Sequence, residues 1–225
     1  MRIKNNFKTL ITGSAGALVL LFLMASCKCD KKQPHAADAQ QKTQVQEVAT
    51  IAAGTLDPAT GNFIYDTGEI FEIKLPNGTS LVEVGKNSTE ARLFNFLNDS
   101  GVTVNNDDKT QGWITLDRVY FDTGKASLTA ESSKQIKNIA EILKAFPNAV
   151  LKIGGYTDNT GSADINKTVS AERAKVVADE LIKLGVQEAR VSSEGYGPEH
   201  PICEANDTPE CKAQNRRVDV RVAQK

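Results

Sequence analysis

From residue 113 onward the apolar pattern switches repeatedly between a period of two and a period near 3.6, and this alternation restricts the fold more than any other feature. Trp113 to Phe121 reads as a strand. Thr129 can cap a helix from Ala130 to about Ala145, with Ile136, Ile139, Ala140, Ile142 and Leu143 as its buried stripe and Pro147 just past its end. Ala149 to Gly155 is a second strand. A second helix spans roughly Ala163 to Leu184, with Ala174, Val177, Ala178, Leu181 and Leu184 on one face and Gly185 as its stop. Arg190 to Tyr196 is a third strand. Arg216 to Val222, alternating Val218, Val220 and Val222 with charge, is a fourth. The order is βαβαβ, a loop, then β, which predicts two helices on one face of a mixed sheet, an α+β arrangement.

Residues 51–112 read as a small α+β region. Asn62 to Tyr65 and Ile70 to Leu75 have strand character, Pro76-Asn77-Gly78 is a turn, and Ser80 to Val84 returns as the second arm. Asn87 followed by Glu90 signals a helix start, Leu93, Phe94, Phe96 and Leu97 give that helix an apolar face, and Gly101 ends it. This region has no catalytic constellation. Asn105-Asn106-Asp107-Asp108 lacks the spacing of a calcium loop and reads as a solvated turn.

The start of the chain is a processing signal rather than part of a fold. Arg2, Lys4 and Lys8 precede an uncharged apolar run from Leu10 to Met24, which predicts a secretory signal over residues 1–26. That run is short for a spanning helix, which needs about 20 apolar residues. Met24-Ala25-Ser26-Cys27 resembles a bacterial lipobox, with Met where Leu is usual, so Cys27 is the expected lipidation site. A lipid there anchors a protein without spanning the bilayer. Lys28 stands at the position where, in enteric bacteria, lipoproteins lacking Asp go to the outer membrane. Residues 27–50 carry Gln33, Gln40, Gln41, Gln44 and Gln46 among charged residues, without apolar periodicity, and predict a disordered tether.

Charge and side-chain inventory exclude several functions. The chain has 27 basic and 28 acidic residues; without residues 1–26 the balance becomes 24 against 28. That is not the basic face a nucleic-acid binder needs. Cys203 and Cys211 lie close together before the last strand, and an oxidising periplasm favours pairing them over a thiol or zinc site. Cys29 is then either free or a link between two chains. No metal and no cofactor are expected. The only histidines are His35 in the tether and His200 in the loop, so a Ser–His or Cys–His pair is not expected. Asp117 and Asp122, five positions apart along a strand, point to opposite faces and make no acid–base pair. The chain does not read as an enzyme.

One constellation remains. Thr157-Asp158-Asn159-Thr160-Gly161 follows a strand end, and Arg173 comes early in the next helix. Asp can accept hydrogen bonds from an ammonium, and Arg can grip a carboxylate with two parallel N–H groups, so together they suit a free amino-acid headgroup. On spacing alone, a structural salt bridge between loop and helix is the commoner use of such a pair.

An ordered series of residues changes that balance. It runs through Phe121-Asp122-Thr123, Thr157-Asp158 with Gly161, Asn166, Ser170-Ala171-Glu172-Arg173-Ala174, Gly185-Val186, Gly195-Tyr196-Gly197, Pro201 and Asn215-Arg216-Arg217-Val218. With this series, residues 113–223 resemble the OmpA-like peptidoglycan-binding domain, the family of Pal lipoproteins and the C-terminal domain of the stator protein MotB. The resemblance implies non-catalytic binding of the free end of diaminopimelate on the peptidoglycan stem peptide. Asp158 would take the ammonium and Arg173 the carboxylate. Asp122, Thr157 and Asn166 would line or orient the site, and Asn215 and Arg217 would brace sheet and loop, with Arg217 able to add positive potential. Two positions depart from the family: Tyr156 stands where a histidine is usual, and Val169 replaces a common Leu. Residues 51–112 resemble, loosely, segments that precede this domain in Bacteroidetes lipoproteins.

The expectation is therefore an outer-membrane lipoprotein whose domain at 113–225 lies in the periplasm and holds peptidoglycan, with the lipid-bearing membrane and further envelope proteins as its other partners. The alternatives are a stator-like or envelope-complex component, or a scaffold acting through residues 51–112.

Overall fold

A computed structural model describes residues 53–121 and 128–225; the expected signal, tether, Cys27, Cys29 and Asp122 lie outside these residues. In chain order the elements are β1 (Gly54–Leu56), β2 (Phe63–Tyr65), β3 (Ile70–Lys74), β4 (Ser80–Gly85), α1 (Thr89–Asn98), β5 (Trp113–Thr115), α2 (Ala130–Ala145), β6 (Val150–Tyr156), α3 (Ala163–Lys183), β7 (Val191–Gly197), α4 (Pro209–Asn215) and β8 (Val218–Gln224). β1–β2 and β3–β4 are antiparallel hairpins. The remaining strands form a mixed sheet in the order β5-β8-β6-β7, parallel between β6 and β7 and antiparallel elsewhere.

Side-chain oxygens start the helices. Ser88, Thr129, Ser162 and Thr208 each accept a hydrogen bond from a backbone N–H three residues on, so each satisfies one of the donors a helix start leaves open. The apolar stripes of α2 and α3 then cover one face of the sheet. Leu151 pairs with Val222 and Ile153 with Val220 across β6 and β8, and these side chains join Ile136, Ile139, Val177 and Leu181 in one buried cluster. The same cluster takes in Ile73, Leu81 and Val84 from β3–β4 and Leu93 and Leu97 from α1, so the hairpin and α1 share a core with the sheet and its helices.

Two glycines set how closely α3 sits on the sheet. A Cβ built on Gly155 would lie 2.0 Å from the backbone oxygen of Ser170, and one on Gly195 would lie 2.3 Å from the backbone nitrogen of Ala171. Neither contact can be relieved by turning a side chain, because both partners are helix backbone. The close approach also lets the Ser170 hydroxyl accept a hydrogen bond from the Gly197 N–H at 2.8 Å while donating to Lys167 O at 2.9 Å.

The structure departs from the sequence reading most in three places, beside shifts of one or two residues such as the Ser88 cap of α1 in place of Asn87 and the start of β8 at Val218. The strand expected over Trp113–Phe121 ends at Thr115. Beyond Leu116 the N–H groups of Arg118 and Tyr120 donate to Gln135 Oε1 and Ser132 Oγ of α2, so helix side chains replace the strand ladder. The loop before the last strand contains α4, which Thr208 caps and Pro209 opens at its first turn, where a missing N–H costs nothing. β1 was not expected at all; it exists through its pairing with β2.

Polar groups are buried where α1 meets α2. Glu90 accepts from Arg118 Nη2 at 2.5 Å, Gln135 Nε2 at 3.1 Å and Asn138 Nδ2 at 3.0 Å. Asp117 accepts from the Thr89 N–H at 2.9 Å and from the Gln135 amide. Burial, followed by the charge of Glu90, pushes the Asp117 carboxyl above its usual range despite these bonds. Near the C-terminal end, Cys203 and Cys211 are disulfide-bonded. The fully buried Asn215 side chain accepts from the N–H groups of Ile202 and Cys203 and donates to Cys203 O, which braces the loop.

Substituting Gly195→Ala should push α3 off the sheet and destabilise the fold by about 1–3 kcal/mol, as overpacking in a filled core does. Chemical denaturation of the purified variant checks this; an unchanged midpoint would mean that the helix gives way freely.

Candidate functional site

The site forms where β6 ends. Thr157 and Asp158 leave the strand, Gly161 turns the chain with φ +94°, and α3 begins at Ala163. Asn166 fixes this turn: its amide donates to Asp158 O at 3.4 Å and to Thr160 O at 3.1 Å. The Thr157 N–H donates to Gly197 O at 2.8 Å, which ties the strand end to β7. Arg173 lies further along α3, its guanidinium carbon 5.1 Å from the centre of the Phe121 ring.

Thr157, Asp158, Asn166 and Arg173 line one cavity of about 490 Å³. All four are buried. A volume of this size suits a small ligand. Asp122, the fifth residue expected here, is outside the described residues.

The sequence reading left Arg216 without a role, yet it holds the site's carboxylate. Arg216 Nη1 donates to Asp158 Oδ2 at 2.8 Å, while the Thr160 N–H donates to Asp158 Oδ1 at 2.9 Å. The other arm of the same guanidinium, Nη2, donates to Gly61 O at 2.8 Å. Gly61 belongs to the turn between β1 and β2, which Asp57 organises by accepting from Thr60 Oγ1 at 2.6 Å and from the Ala59 N–H at 2.9 Å. The β1–β2 hairpin thereby becomes a wall of the cavity, contributing Asn62, Phe63 and Tyr65. A second cavity of about 320 Å³ shares Gly61, Asp158, Thr160 and Arg216 with the first, so the Asp158–Arg216 pair is a partition between the two. The only signal in the sequence was the Asn-Arg-Arg-Val run, and it does not say which arginine faces the loop.

The electrostatics follow from this packing. Burial pushes the Asp158 carboxyl up, but the hydrogen bond from Arg216, the bonds from Thr160 and the Arg216 charge outweigh it and hold the group below the usual carboxylate range. Burial, with the charge of Arg216, lowers the pKa of Arg173, and Asp158 opposes that shift. The cavity therefore presents an ionised carboxylate among guanidinium groups.

Tyr156, where the resembled family has histidine, stands behind the site. It is 3% exposed, stacks on Tyr196 with ring centres 5.2 Å apart, and carries the Arg217 guanidinium 3.8 Å above its ring centre. A protonated imidazole there would repel Arg217, whereas the tyrosine ring attracts it. Arg217 Nε also donates to Asp219 Oδ2 at 2.9 Å and Nη2 to His200 O at 3.0 Å. Val169 lines the cavity as an apolar surface. Among the described residues, no three His, Cys, Asp or Glu side chains gather as a metal site, and no helix is long and apolar enough to cross a membrane.

Comparison with known proteins places this geometry in context. Residues 120–216 match the OmpA family. The chain is 36% identical over 134 residues to the protein named Probable lipoprotein YiaD of Escherichia coli, covering 60% of this chain and 61% of that one. It is 43% identical over 109 residues to Peptidoglycan-binding protein ArfA of Mycobacterium tuberculosis, covering 48% of this chain and 33% of that one. It is 33% identical over 102 residues to Peptidoglycan-associated lipoprotein of Agrobacterium fabrum, covering 45% of this chain and 57% of that one. The matched region thus spans less than two thirds of the length of each of these relatives.

A carboxyl with a depressed folded pKa adds stability above its unfolded value, and that stability is lost as pH falls through the folded pKa. Arg216→Ala should raise the Asp158 pKa and shrink this contribution, so acid unfolding should begin at a higher pH. Carbon-detected NMR titration of the Asp158 carboxyl checks the shift; an unmoved titration would show that Arg216 does not set it.

Proposed function

Because residues 120–216 are an OmpA family domain, we propose that the protein is a non-catalytic envelope lipoprotein. In this reading it binds the diaminopimelate residue of the peptidoglycan stem peptide and ties the outer membrane to the wall. The observation that carries it is the placement of Asp158 and Arg173 on one small buried cavity. A free diaminopimelate end carries an ammonium and a carboxylate on one carbon. Asp158 receives the ammonium and Arg173 grips the carboxylate, while Asn166 and Thr157 hold the loop between them; Asp122, by the family resemblance, would line or orient the site. The names of two relatives, Peptidoglycan-binding protein ArfA and Peptidoglycan-associated lipoprotein, support the ligand class.

The low Asp158 pKa suits this role, since only the ionised form accepts an ammonium. Binding should then persist into mildly acidic conditions and fail only as Asp158 protonates. Lipid attachment at Cys27 and the tether at 27–50 would let the domain reach the wall: about 23 coil residues span roughly 25 Å, and fully extended they reach about 75 Å. One zwitterionic headgroup offers few contacts, so single-site affinity is modest, and many copies on one wall add avidity.

Arg173→Ala and Asp158→Ala should each weaken co-sedimentation of the purified protein with isolated sacculi by about tenfold or more, the scale of a lost charge-assisted contact. Circular dichroism on the same samples should report a retained fold. A folded variant that sediments like the parent would remove these residues from the site.

A further inference from the structure

The charged groups proposed to meet the ligand are nearly shut away: Asp158 is 8% exposed and Arg173 7%. A diaminopimelate headgroup is a branch of a polymer, which is far too large to enter a cavity of about 490 Å³ with it. A wall of the cavity must therefore move aside for the headgroup to arrive. Several walls are fixed. Backbone contacts at Gly155 and Gly195 hold α3 on β6 and β7. Leu116 and Val119 belong to the buried core cluster. The α4 side is closed by the Cys203–Cys211 disulfide and by the hydrogen bonds of Asn215 to Ile202 and Cys203.

The β1–β2 hairpin is attached differently. It is a two-stranded sheet of its own and pairs with no other strand. Its buried Phe63 ring packs on Tyr65 of the same hairpin, with ring centres 5.0 Å apart, and is not part of the core cluster. Among the described residues, the one hydrogen bond that leaves residues 54–65 is that from Arg216 Nη2 to Gly61 O. The others run between the two strands or within their turn. Just beyond the hairpin the chain is pinned again, where Thr67 O accepts from the Asn87 N–H at 2.9 Å. Gly68 follows at φ +72°, a conformation that glycine adopts without strain.

We infer that the β1–β2 hairpin is a gate on the cavity, hinged at Thr67–Gly68 and caught by the Arg216 bond to Gly61 O, which opens to admit the headgroup and closes over it. The inference rests on the proposed grip of that headgroup by Asp158 and Arg173 and adds how the headgroup reaches them. The guanidinium that catches the gate also donates to Asp158 Oδ2. An ammonium arriving at Asp158 competes for that oxygen, so binding and opening are linked, and each favours the other.

Asp57→Ala tests the gate without touching Asp158, Arg173 or Arg216, because Asp57 accepts the bonds from Thr60 and Ala59 that shape the Gly61 turn. The probe is a soluble disaccharide–tetrapeptide fragment of peptidoglycan that carries diaminopimelate, and its association with the full chain is followed by stopped flow. The association rate scales with the open fraction. For an open form of about 10% or less, Asp57→Ala should speed association about tenfold. Thr60→Val, which removes one of the two bonds, should act in the same direction and keeps the test usable if Asp57→Ala does not fold. Spin labels at the exposed positions of Ala59→Cys and Lys175→Cys, with Cys27 and Cys29 replaced by serine, should report a longer distance in a larger share of molecules once the turn is loosened or the fragment is added. An unchanged association rate, or a single distance unaltered by variant and ligand, overturns the gate; if binding is still lost in Arg173→Ala, the headgroup reading stands. No binding of the fragment, or binding that survives both Arg173→Ala and Asp158→Ala, overturns the headgroup reading and the gate with it.

Discussion

The close contact between α3 and the glycines of β6 and β7 is the constraint on which the rest of the site depends. With no Cβ at Gly155 or Gly195, the helix backbone reaches the sheet backbone near Ser170 and Ala171. That fixes the depth of α3, and with it Asn166 one turn before the contact and Arg173 just after it. Asp158 comes from the strand that carries Gly155. A helix pushed outward by a single methyl group would move the arginine while leaving the aspartate behind, so a packing feature sets the geometry between the two charges.

A second tie acts at longer range. Arg216 stands at the C-cap of α4 and divides its guanidinium between the site carboxylate and the Gly61 carbonyl of the β1–β2 turn. One side chain thus joins the family-matched stretch to a hairpin that precedes it. The carboxylate gains a cation that keeps it ionised, and the cavity gains an aromatic wall. Arg217, its neighbour, points into a different environment of tyrosine ring, aspartate and backbone carbonyl. Arg216 caps the end of α4 and Arg217 leads into β8, so two arginines side by side in sequence do different work.

Tyr156 takes its meaning from this arrangement. The ring is part of the support beneath Arg217, in a cluster with Tyr196 and Trp113. Its ring offers a neutral face on which the buried Arg217 guanidinium rests. The wall that holds Arg217 in place thereby stays uncharged on its tyrosine side.

Local information in the sequence was enough to determine the helices α2 and α3, the strands β6, β7 and β8, the hairpin β3–β4 and the turn carrying Asp158. Each of these is written in spacings of two to four residues, in caps such as Thr129 and in stops such as Gly185. The joining of Cys203 to Cys211 was legible for the same reason. Tertiary structure alone decided the end of β5 at Thr115, because the N–H groups beyond it turn to Gln135 and Ser132. It also decided the pairing of β1 with β2, the burial of Glu90 against α2, and the choice of Arg216 over its neighbour as the partner of Asp158. Gly61 and Arg216 are 155 positions apart, and no periodicity carries that distance. Such contacts exist only once the core has closed, when the polar groups brought together must satisfy one another away from water.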